Sequence, residues 1–185
     1  MPRLIGKRVM LREYRQEDLP FIRKWVNDAN TVQYLSSIFW TPQTLANTQN
    51  FMDKRLAGDA DACNFVIADA NSEEYIGQLD IFKLDWKQRY GMVGVVIGSD
   101  KDRGSGLGTE ALELLLKHAF ETLGLERVEL EVYMENTRAR RCYEKAGFVM
   151  EGVKRHACFQ NGAFADMGIL SVLSGEWFAA HPRKG

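Results

Sequence analysis

The hydrophobic pattern of the first half of the chain predicts one strand, two helices and then two strands. An opening strand is predicted over 8–12. Apolar residues then recur at helical spacing in two stretches: Leu19, Ile22 and Val26, and then Leu45, Met52 and Leu56. Thr41 and Pro42 supply an N-cap and a first-turn proline for the second helix. Strands over 64–69 and 74–82 follow, separated by a polar turn.

The middle of the chain alternates clearly between strand and helix. Residues 92–97 are apolar on both faces, which is typical of a central strand covered on both sides. Apolar residues at helical spacing over 107–118 predict a helix, and Gly124 lies where a glycine would end it. Apolar and polar residues alternate over 127–133, which predicts a half-buried strand.

The end of the chain predicts a short helix and a hairpin. Asn136 can cap a helix that Gly147 ends. Strands over 148–153 and 164–173 flank Asn161-Gly162, a strong signal for a tight hairpin turn. The resulting order, β-α-α-β-β-β-α-β-α-β-β, places hairpins on either side of one β-α-β unit. It predicts a mixed-sheet α+β or α/β domain and not a doubly wound one.

Composition and charge narrow the class of protein. The 185 residues fit a single domain over 1–185, and 45% hydrophobic residues are typical of a globular protein. With 24 Lys+Arg and 25 Asp+Glu the net charge is -1, which argues against a nucleic-acid partner. The apolar runs are too short to cross a membrane, and the first residues lack the apolar core of a signal peptide. We therefore expect no membrane partner and a cytoplasmic location.

The sequence gives no support to metal chemistry. The three cysteines are odd in number and form no CxxC pair, and the three histidines show no ligand spacing. We expect neither a metal nor a disulfide framework.

A glycine-rich turn over 103–109 separates the apolar strand from the long helix. Helix N-termini carry unpaired N–H groups and a partial positive charge, so this turn suits a pyrophosphate. A P-loop would need Lys-Ser/Thr after its last glycine, but Thr109 follows Gly108. A dinucleotide fingerprint would need a third glycine where Leu107 stands. The alternative without a ligand is that the glycines only relieve backbone strain.

Two motifs resemble those of a known family. Arg103-x-x-Gly106-x-Gly108 is similar to the acyl-CoA pyrophosphate loop of the GNAT N-acetyltransferases, and the run from Asn136 to Phe148 is similar to their second signature. Two flanking features resemble the Rim-like branch, which includes ribosomal-protein N-terminal and polyamine acetyltransferases. They are the opening run Leu4-x-Gly6-x-Arg8-Val9-x-Leu11-Arg12 and the late hairpin at Asn161-Gly162. The resemblance implies a mixed, mostly antiparallel sheet of about seven strands, splayed at the cofactor site and flanked by about four helices.

The resemblance also implies which residues serve acetyl transfer from acetyl-CoA to an amine. Tyr143 would face the thioester sulfur as general acid or hydrogen-bond donor. Cofactor contacts are implied for a larger set, partly through main chain: Val96, Ile97, Gly98, Arg103, Gly104, Ser105, Gly106, Leu107, Gly108, Thr109, Asn136 and Arg138.

The general base is the open point of this hypothesis. Many Rim-type relatives carry a glutamate near the start of the apolar strand, where this chain has Met92. A water chain is one substitute. The other candidates are acids on the neighbouring strands: Asp80, Asp85, Glu129 and Glu131.

Acceptor specificity is expected from the first two helices and the late hairpin, as in the family. Both a protein N-terminus and a small amine such as a polyamine remain open, as does a homodimer. The alternatives to an enzyme are a non-catalytic acyl-CoA-binding or sensor module and, more remotely, a nicotinamide-nucleotide protein. The candidate wall residues are aromatic: Trp25, Tyr34, Phe39, Trp40, Trp86 and Phe159.

Overall fold

The fold combines one large sheet with helices on both of its faces. The computed structural model describes residues 3–58, 62–160 and 162–182. The strands are β1 (Leu4–Ile5), β2 (Val9–Arg12), β3 (Cys63–Asp69), β4 (Tyr75–Asp85), β5 (Tyr90–Ile97), β6 (Arg127–Tyr133), β7 (Val149–Gln160) and β8 (Ala163–Leu173). The α-helices are α1 (Leu19–Trp25), α2 (Ala29–Val32), α3 (Leu45–Ala57), α4 (Leu107–Lys117), α5 (Thr137–Lys145) and α6 (Ser174–Ala180). None of the helices in these ranges is long and apolar enough to cross a membrane.

The sheet is almost entirely antiparallel and opens at its centre. Its strand order is β1-β2-β3-β4-β5-β6-β8-β7, and β5 and β6 form its parallel pair. That pair is short, because only Tyr90 to Met92 are in register with Arg127 to Glu129. Beyond Met92 the two strands separate, while β5 stays paired with β4 as far as Ile97. The predicted mixed sheet with a splay is confirmed.

Each face of the sheet has its own hydrophobic cluster. On one face α4, α5 and α6 pack on the strands, through residues such as Leu112, Leu115 and Trp177. On the other face α1 and α3 pack through residues such as Trp25 and Met52. Burial of this apolar surface is the main favourable contribution to folding. The splay lies between the two clusters, so it connects both faces.

The structure adds elements to those that the pattern predicts. It has eight strands and six α-helices in the described ranges, where about seven and four were expected. β1, α2 and α6 were not predicted. The predicted cap at Thr41-Pro42 is wrong, since α3 begins at Leu45 and the Thr44 hydroxyl accepts the Asn47 N–H at 3.1 Å.

The second predicted hairpin is present and longer than expected. β7 and β8 pair along most of their length, with irregular register at two points. Asn161 lies outside the described residues, and Gly162 has φ of 80°. The strand predicted over 92–97 is only half-buried in its second half, because β6 leaves its side there.

Candidate active site

A cavity of about 570 Å³ opens where β5 and β6 separate. Val95 and Ile97 belong to the α4–α5 side of the sheet and Val96 to the α1–α3 side, and all three line the cavity. From β6, Val132 lines it on the α4–α5 side, with Glu131 and Tyr133 alternating to the other face. The cavity therefore passes through the gap in the sheet and reaches both faces.

The open edge of β5 presents backbone groups to this cavity. In an antiparallel pair, alternate residues turn their N–H and C=O groups toward the partner strand. Gly98 donates its N–H to the Ile76 carbonyl at 3.0 Å, so Gly98 and, by alternation, Val96 turn toward β4. Val95 and Ile97 then turn their groups toward the splay. Val96, Ile97 and Gly98 were predicted to contact a cofactor at the strand end. Of these three, only Ile97 turns its backbone groups toward the splay.

The glycine-rich turn forms the other rim of the cavity. Gly104 and Gly106 have φ of 76° and 87°, the left-handed region that glycine adopts without strain. Gly106 is the N-cap of α4, so the first N–H groups of α4 point out of the turn. The predicted residues that line the cavity are Val96, Ile97, Arg103, Gly104, Gly106, Gly108, Thr109, Asn136, Arg138 and Tyr143.

An ion pair holds this turn against the start of the sheet. Arg8 donates Nη1–H to the Ser105 carbonyl and Nε–H to Glu110, both at 2.9 Å. The Glu110 carboxylate also accepts the backbone N–H groups of Lys7 and Arg8 at 2.8 Å. Glu110 lies one turn into α4, so these bonds fix the helix start relative to β2. Sequence analysis did not identify this pair.

The Arg103 side chain forms its hydrogen bonds with other groups of the protein. Its side chain is only 8% exposed and donates from Nε and Nη2 to the Ile97 carbonyl at 3.1 and 3.0 Å. It also pairs with Asp100 and donates to the Thr31 hydroxyl of α2. The guanidinium therefore ties the strand end, the glycine-rich turn and α2 together, instead of pointing freely at an anion.

Helix α5 contributes the aromatic wall of the cavity. Asn136 caps it by accepting the Ala139 N–H at 3.1 Å. Tyr143 is buried, 9% exposed, and packs edge-on against Phe148 with ring centroids 6.1 Å apart. Burial, with a smaller contribution from Cys142, raises the pKa of the Tyr143 phenol well above its usual value. Tyr143 is therefore a neutral hydroxyl group at physiological pH.

Of the four candidate bases, Glu131 lines the cavity. Its Oε1 accepts from Lys154 Nζ at 2.5 Å. Asp80 is buried under α3 and paired with Arg55 at 3.0 Å, and Asp85 accepts the Gln88 N–H at the hairpin turn. Glu129 pairs with Arg127 at 2.6 Å further from the splay. Met92, which stands where the resemblance implies an acid, is buried.

Most of the aromatic residues predicted to form the acceptor wall do not line the cavity. Tyr34 lines the cavity, where its ring lies 5.6 Å from that of Tyr133. Burial, assisted by a hydrogen bond with Cys158, raises the pKa of Tyr133 to about 12. Trp25 is in the core and donates to the Tyr75 hydroxyl at 3.0 Å. Phe39 packs on Trp25, and the remaining three aromatic residues are exposed outside this cavity: Trp40, Trp86 and Phe159.

Several lining residues were not identified from the sequence. Asn30, Thr31 and Leu35 come from α2 and the turn after it, which is too short to leave a periodic pattern. Arg141 and Lys145 lie one and two turns along α5 from Arg138, on its cavity side. Their spacing of three and four residues is the signal that sequence analysis missed.

These features fit the coenzyme that the resemblance implies. An open strand edge can pair with an amide-bearing chain, and a helix N-terminus with left-handed glycines can hold a diphosphate. Arg138, Arg141 and Lys145 give the α5 side a positive charge that suits phosphate groups. Within the described ranges, no cluster of three or more His, Cys, Asp or Glu could hold a metal ion.

Comparisons with known proteins agree with this geometry. Spermidine N(1)-acetyltransferase of Escherichia coli K12 is 26% identical over 178 residues, 96% of this chain and 92% of that protein. Human alpha/beta-tubulin-N-acetyltransferase 9 is 30% identical over 169 residues, 85% of this chain and 79% of that protein. The crystal structure of spermidine N-acetyltransferase from Vibrio cholerae in complex with CoA and spermine has the same fold. It superposes with a TM-score of 0.81 at 24% identity, covering 94% of this chain and 99% of that one.

The family model for the acetyltransferase (GNAT) domain matches residues 8–149, most of the described sheet and both motifs. The chain therefore belongs to the GNAT family, as an acetyl-CoA-dependent N-acetyltransferase.

Proposed function

We propose that this enzyme transfers the acetyl group of acetyl-CoA to a primary amine by direct attack within a ternary complex. The observation that carries the proposal is the cavity through the splay, which is lined from both faces of the sheet. Two substrates that enter from opposite faces can meet there without a covalent enzyme intermediate. Acetyl-CoA supplies the thioester that the amine attacks.

Cosubstrate binding is assigned to the α4–α5 side. The turn over 103–109 and the first N–H groups of α4 bind the diphosphate. Val95 pairs with the amides of the pantetheine arm through its N–H and C=O groups, and Ile97 through its N–H, because the Ile97 carbonyl already accepts from Arg103. Arg138, Arg141 and Lys145 attract the phosphates. Asn136 contacts the arm through the side-chain N–H groups that its capping role leaves available. Arg103 acts by positioning Ile97 and the turn, because four of its five N–H donors are already used.

Tyr143 is assigned the role of stabilising the thiolate that leaves. Its high pKa means that full proton transfer to a thiolate near pKa 8.5 is strongly uphill. A neutral phenol is nevertheless a good hydrogen-bond donor to developing negative charge. Tyr143 therefore stabilises the sulfur anion, and the proton that the thiolate finally takes comes from solvent or from the attacking amine.

Glu131 is assigned the role of orienting the acceptor amine and accepting its proton. It is the candidate base that lines the cavity, and it lies on the face opposite to α4 and α5. An alkylamine near pKa 10.4 is mostly protonated at neutral pH, so its attack requires the loss of a proton. The Glu131 carboxylate can orient the ammonium and accept that proton, directly or through one water.

The acceptor is a primary amine, either a protein N-terminus or a small amine such as a polyamine. Relatives at 25–30% identity are named for a polyamine, spermidine, and for a protein, tubulin. An α-amine near pKa 8 loses its proton more readily than an alkylamine and needs less help from Glu131.

Turnover with a panel of acceptors tests this function. Purified protein is mixed with acetyl-CoA and with short peptides, polyamines or aminoglycosides, and free thiol and acetylated product are followed. We expect thiol release that depends on the amine, and heat of CoA binding in calorimetry. Binding of CoA without turnover of any amine would favour the non-catalytic module. No binding by a folded protein at millimolar CoA would contradict both.

A further inference from the structure

The acceptor end of the cavity is aromatic and carries little negative charge. Tyr34 and Tyr133 form its walls together with Leu35. Among the described residues that line the cavity, two have a carboxylate, Asp102 and Glu131. Asp102 immediately precedes Arg103 at the glycine-rich turn, so Glu131 is the acid that an acceptor meets at the splay.

The charge of Glu131 is already countered. Lys154 on β7 reaches across β8 and donates Nζ–H to Glu131 Oε1 at 2.5 Å. Side-chain exposure is 52% for Lys154 and 31% for Glu131, so the pair is open to solvent. An acceptor that approaches Glu131 also approaches the Lys154 ammonium.

The other carboxylates of this sheet face are countered as well. Arg127 pairs with Glu129 at 2.6 Å and with Glu151 at 2.5 Å, and Ser171 bonds to Glu151 at 2.7 Å. Each acid that β6 and β7 present on this face, within the part of the chain described, thus has a cationic partner. A chain with several ammonium groups would find no unpaired carboxylate there and would be repelled by Lys154.

We infer that the acceptor is an amine whose neighbouring groups are uncharged or acidic, such as a peptide N-terminus, and that Lys154 disfavours polyamines by neutralising Glu131. The inference rests on the proposed function and narrows its acceptor class. A single α-ammonium can contact the Tyr34 and Tyr133 rings and one oxygen of Glu131 while Lys154 keeps the other. A polyamine needs further carboxylates along its length, which this face does not supply.

Charge reversal at Lys154 tests the inference. The readout is the ratio of kcat/KM for spermidine to kcat/KM for a short peptide with a free N-terminus and uncharged side chains. A ratio cancels any effect on Glu131 that both acceptors share. We expect the wild-type enzyme to prefer the peptide, and the ratio to rise about tenfold in Lys154→Glu and by a smaller factor in Lys154→Met. The increase should shrink at high salt.

Lys87→Glu is the matched control. It makes the same change in net charge in the exposed turn between β4 and β5, at the end of β5 opposite to the splay. Its ratio should equal that of the wild type. A wild-type preference for spermidine, or an equal ratio in Lys154→Glu and Lys87→Glu, would overturn the inference and leave the proposed function intact. Absence of turnover with both acceptors would overturn the inference, and absence of turnover with every amine of the panel would overturn the proposed function as well.

Discussion

The hydroxyl group of Tyr143 is held at the cavity wall in a neutral state, which limits its chemistry to hydrogen bonding. Tyr143→Phe removes that hydroxyl and keeps the ring that packs on Phe148. We expect kcat to fall by about 10²- to 10³-fold, because the developing thiolate loses its donor. The CoA dissociation constant, measured by calorimetry, should change little. An unaltered kcat would remove Tyr143 from the mechanism.

Individual residues also show where sequence reasoning reached its limit. Tyr143 and the glycines could be predicted because a motif fixes their spacing along one helix or one turn. The hydrogen bonds from Arg103 to the Ile97 carbonyl could not be predicted, since they depend on where the strand and the turn meet in space. Glu131 was one of four candidate acids, two on β4 and two on β6, and only the separation of β5 from β6 distinguishes it.

The start of α4 depends on a left-handed N-cap, which gives a prediction for the whole element. Gly106→Ala places a Cβ atom at φ of 87° and 3.3 Å from Arg8 Nη2. The left-handed conformation costs about 1 kcal/mol for a residue with a Cβ atom, and the turn can relieve it only by moving its N–H groups. We expect CoA affinity, measured by calorimetry, to fall at least about tenfold.

Gly124→Ala is the control for that strain. Gly124 lies beyond the other end of α4 with φ of 67°, and an added Cβ atom there meets nothing within 4 Å. Both variants should therefore lose thermal stability to a similar extent, but only Gly106→Ala should lose CoA affinity. Equal affinity in the two variants would show that the glycine-rich turn does not hold the diphosphate.

Elements with a long periodic pattern were predicted, and short ones were missed. α4 and β6 bury one regular face each, so their hydrophobic residues recur at the period of the element. α2 has four residues and β1 has two, about one period of each kind of element, so no recurrence can be seen in either. The consequence for function is direct, because α2 and the turn after it provide the acceptor side of the cavity.

At the scale of the molecule, the splay is the feature on which the site depends, and no local pattern encodes it. The apolar run 92–97 predicted a strand covered on both sides, yet its second half lines the cavity. Its hydrophobic residues serve a ligand-binding gap as well as the core. The resemblance to the family predicted the splay, whereas periodicity alone would have closed the sheet.

A buried carboxylate next to the α1–α3 cluster gives the whole fold a pH dependence. Asp80 has a side chain 12% exposed and is paired with Arg55 at 3.0 Å. Burial outweighs that pairing and raises the pKa of Asp80 to about 6. The folded state thus binds the Asp80 proton more tightly than the unfolded chain, whose pKa is near 3.9. The resulting stabilisation is present below about pH 4 and is lost as the pH rises through about 6.

Comparison with Asp80→Asn isolates this contribution, because the amide cannot ionise. A pKa difference of about two pH units corresponds to about 3 kcal/mol. Between pH 4 and pH 7 we expect the wild-type free energy of unfolding, measured by urea denaturation, to decrease relative to the variant by up to about that amount. The carboxyls of Glu13 and Glu151, whose arginine partners lower their pKa to about 2, stay ionised over this range in both proteins. Parallel pH profiles for the two proteins would mean that Asp80 titrates near its ordinary pKa and that Arg55 compensates fully for its burial.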